Sequence, residues 1–512
     1  MTAMVQAAGR ANLYGLFRQQ VLRNGGNLAL EDGDKRFSYA ELDSRVRALA
    51  GLFTAHGLKR GDRVAILSEN RGAYVEAAMA AALTGTILAC QNWRLSREEL
   101  QHCISLVSPG LVLVSDRNRA ALGEIDLGGA ALLDLDEGYE DRLAAAIPHP
   151  PASPADPEDG VVILYTSGTT GLPKGALISH RAEIARMCAL RLDSGVQETD
   201  CFAAWAPMFH MASMDQVFGT LISGAAIIAI DGMQAEVIID AARRHPLSWL
   251  VAMPGAIEPM VEVLKRDRPM LKRIACVGAM ADLVPRQQLA ELTALLGAPY
   301  LNSFGSTETG LPPASANLIA PGTTDYSLSK RISSLCEVRL VDPDGKEVAP
   351  GEPGELAIRG PTVFSGYWQA EETNARDFAQ GWFRMGDLFR VNPDGTIDFV
   401  DRAKYMIKSG GENIYPAEIE RVLLADPRVA DAVVIRKADV QWGEVPLAFI
   451  ARNDEALTAK DVDAICRARL AAYKRPRDIR FIALEDIPRS TTGKIQRHEL
   501  EARLAGDSCA AP

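Results

Sequence analysis

The chain has 512 residues, 47% of them hydrophobic and 24% charged, a balance that excludes a disordered or fibrous protein. One hydrophobic core serves roughly 250–300 residues at most, so several subdomains are expected. A net charge of −11 excludes whole-chain attraction to nucleic acid or to an anionic bilayer, although a local positive site remains compatible with it.

The N-terminal stretch MTAMVQAAGRANLYGLF has neither the continuous apolar run nor the cleavage site of a signal peptide. The most apolar segment, 221–230, is too short to span a bilayer. Eight cysteines are scattered, without a CxxC pair or a histidine at zinc spacing, which predicts free thiols in a reducing cytoplasm. Further along, residues 37–49 read as an amphipathic helix capped by Ser38, with Glu41 three positions on. A buried strand at 63–67, a helix over 72–84 and a strand at 111–114 follow, and this alternation predicts parallel sheets covered by helices.

After a Pro-rich linker at 148–154, the apolar strand 161–165 runs into Thr166–Gly175, TSGTTGLPKG. Glycines let backbone amides approach an anion. The hydroxyls of Thr166, Ser167, Thr169 and Thr170 add donors beside Gly168, and Lys174 adds a charge. The chemistry is that of a phosphate cradle. It is not a Walker A loop, because the GxxxxGK[ST] spacing fails and residues 176–178 read as a strand, with the helix starting after Ser179. A Gly/Thr-rich hairpin without function is the bland alternative, and the density of donors ending in Lys-Gly weighs against it. From about residue 325 short strands alternate with turns at 342–345 and 392–395, which predicts a small antiparallel β unit. Past Arg402 the pattern returns to α+β.

YTSGTTGLPKG resembles the signature loop of the adenylate-forming superfamily, which includes acyl-CoA synthetases, adenylation domains and firefly luciferase, and later motifs follow in that superfamily's order. The resemblance implies a multidomain α/β and α+β fold. Its large N-terminal domain, 1–401, would hold two helix-flanked β-sheets plus a small β-barrel, and a mobile α+β domain, 402–512, would act as a lid. In NSFGSTE, it implies that Asn302 and Phe304 meet the adenine, Thr307 the α-phosphate and Glu308 a Mg²⁺ ion. Taken alone, GSTE would be a capped helix start. Asp387 would bind the ribose hydroxyls, Arg402 the ribose and phosphates, and Lys404 would be the hinge. A turn aspartate and a surface ion pair are the ordinary alternatives for Asp387 and Arg402. Gly410 and Gly411 would line the channel for the pantetheine of coenzyme A, and Lys494 in PRSTTGK would be the catalytic lysine.

His210 resembles the gating aromatic of the acid pocket, and Trp205, Met211, Met253, Gly255, Ala256, Ala279 and Met280 would line that pocket. These are apolar or small, Met211 stands where amino-acid-activating relatives carry Asp, and no obvious Arg or Lys is placed to hold a second carboxylate. An apolar monocarboxylic acid is therefore the expected substrate, whether fatty, alicyclic or aromatic. The segment Ser327–Arg331, SLSKR, departs from the superfamily's Gly-containing stretch. Expected partners are the acid, ATP with Mg²⁺, and coenzyme A. No nucleic acid or transmembrane segment is expected, and a homodimer stays open. Transfer to a carrier protein, luciferase-like chemistry and a catalytically dead adenylate binder remain as alternatives.

Overall fold

The computed structural model describes residues 8–166, 172–409, 412–489 and 495–509. Ser167, Gly168, Thr169, Thr170, Gly410, Gly411 and Lys494 lie outside the described residues. Two compact units divide the chain: Met1–Val338 with Ile358–Phe383, and Arg339–Ala357 with Arg384–Pro512.

The first unit contains two large sheets. One runs Ala131–Asp134, Leu111–Val114, Arg63–Leu67, Ile87–Cys90, Gly160–Thr166, Lys174–Ser179. All neighbours are parallel except the last pair, which is antiparallel. Its strands are near-continuous apolar runs because helices cover both faces. The other sheet runs Lys35–Ser38, Leu28–Asp32, Ile227–Ala229, Phe202–Ala204. A parallel bridge from Cys201 to Leu247 extends it into Leu247–Leu250, Ile274–Val277, Tyr300–Leu301 and Leu318–Ile319.

The helix Gly72–Thr84 has every residue buried and touches Leu28–Asp32 of one sheet and Gly160–Thr166 of the other. A helix apolar on all sides can be stable only inside such a layer. Its one carboxylate, Glu76, is offset by the Arg45 guanidinium at 2.5 Å and the Tyr139 hydroxyl at 2.5 Å. The expected helix near residue 37 forms over Tyr39–Ala55, and Ser38 and Glu41 close a capping box at its start.

The helix Leu13–Asn24 is anchored through its first amide, because the Leu13 N–H donates to His180 Nδ1 at 3.2 Å. The accepting nitrogen must be unprotonated. Burial pulls the His180 pKa from 6.5 to about 4. A depressed pKa contributes stability that is complete above pH 6.5 and is lost as pH falls towards 4. Urea midpoints for the wild type should therefore drop over that window, with a loss on the order of 3 kcal/mol. His180→Gln, whose amide oxygen can accept the same hydrogen bond, should flatten this dependence.

In the second unit, the strand ending at Val391 turns through Asn392–Thr396 into Ile397–Arg402 as an antiparallel hairpin. The C-terminal part pairs the long strands Val429–Asp439 and Gly443–Arg452. Alternate side chains face opposite ways. Val434, Ala448 and Ile450 meet the helices Pro416–Leu424 and Ala459–Arg469 through Ile419, Leu423, Val462 and Cys466. Val433, Ile435, Leu447 and Phe449 meet Leu500 and Leu504 of the helix Arg497–Cys509.

Candidate active site

The strand Gly160–Thr166 delivers Thr166 opposite Lys174, where the return strand Lys174–Ser179 begins. Ser179 then caps the helix His180–Ser194 by accepting from the Ala182 N–H. This strand, loop, strand, helix order is the one expected from the sequence, and it sets the phosphate-loop candidate apart from a Walker A loop.

Lys174 Nζ lies 3.8 Å from the centroid of the Tyr367 ring, and the Tyr367 hydroxyl donates to Glu308 Oε1 at 2.7 Å. Burial first, and the neighbouring Glu308 carboxylate second, push the phenol's pKa upward, so Tyr367 stays a neutral donor. The Glu308 carbonyl is fixed as well, accepting from the Phe364 N–H at 2.8 Å. The structure thus brings together the expected phosphate-binding lysine and the expected metal-binding glutamate, with Tyr367 between them. No spacing rule marks Tyr367 in the sequence. GSTE does not start a helix; Thr307, Glu308 and Thr309 form the turn of a hairpin between Gly305–Ser306 and Gly310–Pro313.

That turn is held from beneath by Arg186, a residue the sequence reading passed over. Its side chain is 2% exposed, and Nη2 donates to the Thr307 carbonyl and Nε to the Thr362 carbonyl, both at 3.1 Å. Nη1 faces both oxygens of Asp215 at 3.2 and 3.3 Å. Asp215 lies on the helix Met211–Ser223, which begins directly after His210. One guanidinium therefore links the turn carrying Thr307 and Glu308 to the helix that leaves the gate candidate. Glu183, one turn before Arg186, is fully buried, and neither of its oxygens has a hydrogen-bond partner among the described residues. Burial, then the Asp215 charge, push its pKa well above the usual carboxylate range and keep it protonated.

Among the acid-pocket candidates, His210 starts its helix by accepting from the Ser213 and Met214 amides, and its ring tilts against Phe209 with centroids 4.7 Å apart. The Trp205 indole donates to the Val251 carbonyl at 2.9 Å and is buried. Met211 opens the helix and is half-buried, and Ala279 and Met280 are half-buried on the loop after Ile274–Val277. Gly255 is exposed and Ala256 buried in the first turn of Pro254–Asp267. Gly278 has φ +99°, and a Cβ there would lie 2.2 Å from the Tyr300 ring, so only glycine lets this loop leave its strand.

Phe304 is 8% exposed, and the Asn302 amide is committed within the protein. Asn302 Nδ2 donates to the Leu328 carbonyl at 3.0 Å, and Oδ1 accepts from Lys330 Nζ at 2.6 Å. A lysine therefore stands against Asn302, a pairing that no spacing in the sequence suggests. Lys330, within the departing segment 327–331, is fully buried there and pairs with Asp282 at 2.5 Å. It comes from 28 positions further along the chain, a proximity only tertiary folding creates.

In the second unit, Asp387 and Arg402 sit opposite each other on antiparallel strands, with Arg402 Nε 3.3 Å from Asp387 Oδ1. The neighbouring Asp401 accepts from the Ala417 N–H at the start of the helix Pro416–Leu424. Lys404 is exposed in the short turn Ala403–Tyr405. Ser409 and Glu412 pair on either side of Gly410 and Gly411. Arg489 and Ile495 bridge across the segment that contains Lys494. Arg497, just beyond, is tied to Glu420 at 2.6 and 2.7 Å.

Two family models match the chain: "AMP-binding enzyme" over residues 17–368 and "AMP-binding enzyme C-terminal domain" over 418–494. A feruloyl-CoA synthase of Amycolatopsis sp is 32% identical, covering 93% of this chain and 96% of that protein. An indoleacetate–CoA ligase of Aromatoleum aromaticum is 30% identical, covering 94% and 96%. Among solved structures, an o-succinylbenzoate coenzyme A synthetase of Bacillus subtilis in complex with ATP and magnesium ion matches with a TM-score of 0.83. That match has 26% identity and covers 96% of this chain and 100% of the other. Fold and relatives define an adenylate-forming enzyme. The chain belongs to the AMP-binding enzyme family.

Proposed function

We infer that the enzyme activates an apolar monocarboxylic acid, aromatic or fatty, as its acyl-AMP and then transfers the acyl group to coenzyme A. It is an AMP-forming acid–thiol ligase that uses ATP, Mg²⁺ and coenzyme A. The observation that carries this reading is similarity over nearly the whole of both chains to proteins named as a CoA synthase and a CoA ligase. Feruloyl and indoleacetate are aromatic acyl groups, and the candidate pocket residues Trp205, Met211, Ala256, Ala279 and Met280 are apolar, which supports an aromatic or similarly apolar acid. Of the two acceptors left open by the sequence, coenzyme A is the one these relatives' names specify.

In the proposed reaction, a carboxylate oxygen attacks the α-phosphorus of ATP and the bond to the β-phosphate oxygen breaks, releasing diphosphate. The sulfur of the CoA thiolate then attacks the acyl carbon, and the C–O bond to AMP breaks. Lys174, with Thr166, Ser167, Gly168, Thr169 and Thr170, holds the β- and γ-phosphates. Thr307 donates to the α-phosphate, Asn302 and Phe304 flank the base, and Asp387 and Arg402 take the ribose. Glu308 suits Mg²⁺: Tyr367 engages Oε1, and Oε2 takes no hydrogen bond among the described residues. The ion, when bound, neutralises phosphate charge. His210 gates the acid pocket.

Lys494 offsets negative charge during adenylation. The C-terminal domain, 402–512 in this reading, then swings about Lys404 so that Gly410 and Gly411 line the path of the pantetheine arm. Lys494→Ala should lower adenylation by about 10²-fold or more while sparing thioester formation from synthetic acyl-AMP. Equal loss in both half-reactions would remove the assigned role. ATP–diphosphate exchange over a panel of aromatic and fatty acids tests the whole reading, which fails when no acid supports exchange. The proposed setting is the cytoplasm; no helix among the described residues is long and apolar enough to cross a membrane. Sedimentation would decide whether two copies form a homodimer.

A further inference from the structure

We propose that Lys330 and Asp282 form a charge-cancelling pair that sets the selectivity of the acid pocket, keeping its wall neutral so that acids without a second charge are accepted. This rests on the reading of Ala279 and Met280 as pocket wall.

The ammonium of Lys330 joins three segments. Its Nζ donates to Asp282 Oδ2 at 2.5 Å and to Asn302 Oδ1 at 2.6 Å. The same Asn302 oxygen lies 3.4 Å from the Ala281 N–H, and the Asn302 amide nitrogen returns to the Leu328 carbonyl, two residues before the lysine. Lys330 is wholly buried, and the Asp282 side chain is 11% exposed. Taking an ammonium out of water is strongly unfavourable unless a carboxylate accompanies it. Well-packed apolar residues of similar volume often replace such a buried pair with equal or greater stability. Stability therefore gives no reason for the pair, whereas charge placement does.

On that reading of the wall, the pair lies behind the loop that faces the substrate. The loop bearing Ala279 and Met280 is fixed at one end by Gly278, whose carbonyl accepts from the Trp249 indole at 2.7 Å and whose missing Cβ admits the Tyr300 ring. Lys330, through Asn302 and Asp282, fixes the other end. A cation at this wall would attract a second carboxylate on the incoming acid, and Asp282 cancels it. Discrimination of this kind arises from the charge withheld as much as from the contacts made.

The test compares cinnamic acid with 4-carboxycinnamic acid, and decanoic acid with decanedioic acid, in ATP–diphosphate exchange. Asp282→Asn uncovers the lysine and should raise the ratio of kcat/KM for diacid over monoacid by about tenfold, mainly through a lower KM for the diacid. The charge-neutral double variant Lys330→Met with Asp282→Leu should leave that ratio within about twofold of the wild type. An unchanged ratio in a folded Asp282→Asn enzyme overturns the proposal. So does a tenfold change in the double variant, which decides the matter even when the single variant does not fold. Exchange by the wild type with no ratio effect sinks only the pair; no exchange by the wild type with any acid removes the functional reading and the pair's role with it.

Discussion

Arg186→Met is expected to destabilise the protein by about 3–5 kcal/mol, because it strands a buried carboxylate. Asp215 is buried, and the guanidinium of Arg186 is the cation facing both its oxygens. Burial already raises the Asp215 pKa, and Arg186 opposes that rise. Without the arginine the pKa climbs further, so the folded state holds a proton that the unfolded chain gives up near pH 4. The sign follows. The variant should be closest to wild-type stability below pH 4 and lose ground as pH rises through the neutral range. Chemical denaturation at pH 4.5 and 7.5 measures this. Adding Asp215→Leu to Arg186→Met should recover most of the loss, since it is the broken pair that is penalised. If the double variant is no more stable than the single one, the unpaired carboxylate is not the cause. The two carbonyls, of Thr307 and Thr362, also lose their donor, so adenylation by the folded double variant should still fall, by as much as about 10²-fold if the Thr307 turn shifts by an ångström.

Glu308→Gln is expected to lower ATP–diphosphate exchange by about 10²–10³-fold with almost no change in stability. The substitution keeps an oxygen to accept from the Tyr367 hydroxyl and keeps the backbone link to Phe364, so the hairpin should persist. What disappears is the negative charge that suits Mg²⁺. The midpoint of a Mg²⁺ titration should rise accordingly, while thermal unfolding in the absence of ATP stays near that of the wild type. Tyr367→Phe provides the comparison. It frees Glu308 Oε1 without removing charge and should cost far less activity than Glu308→Gln. Equal effects from the two variants would mean that Glu308 acts through its hydrogen bond to Tyr367 and not as a metal-binding carboxylate.

Much of the architecture could be read from local signals. The capping box at Ser38 and Glu41 marks one helix start, and length separates the short apolar runs 63–67 and 111–114, read as strands, from the longer apolar run 72–84, read as a helix. The phosphate-loop candidate could be picked out for a different reason: donors, glycines and a lysine are contiguous in 166–175, so no tertiary knowledge is needed to bring them together. Glu308 was singled out as a candidate through the motif that contains it, although the turn in which it sits could not be read, because GSTE alone is equally good as a helix cap.

Tertiary structure decided which groups surround those motifs. Tyr367 stands between Lys174 and Glu308 although 59 residues separate it from the glutamate, and Arg186 reaches Thr307 across 121. Lys330 sat in a segment already seen to depart from the expected pattern, yet its burial against Asp282, 48 positions away, depends on how the strands Ile274–Val277 and Tyr300–Leu301 lie side by side. The sequence by itself determined the class of chemistry, since that needs only the reacting groups in order along the chain. The supports of Glu308 and Thr307, and the charge balance at the wall near Asn302, depend on side chains whose partners are remote in sequence. Hydrogen bonds need partners within about 3.5 Å and an ion pair weakens as its charges separate, so only the folded distances could assign them.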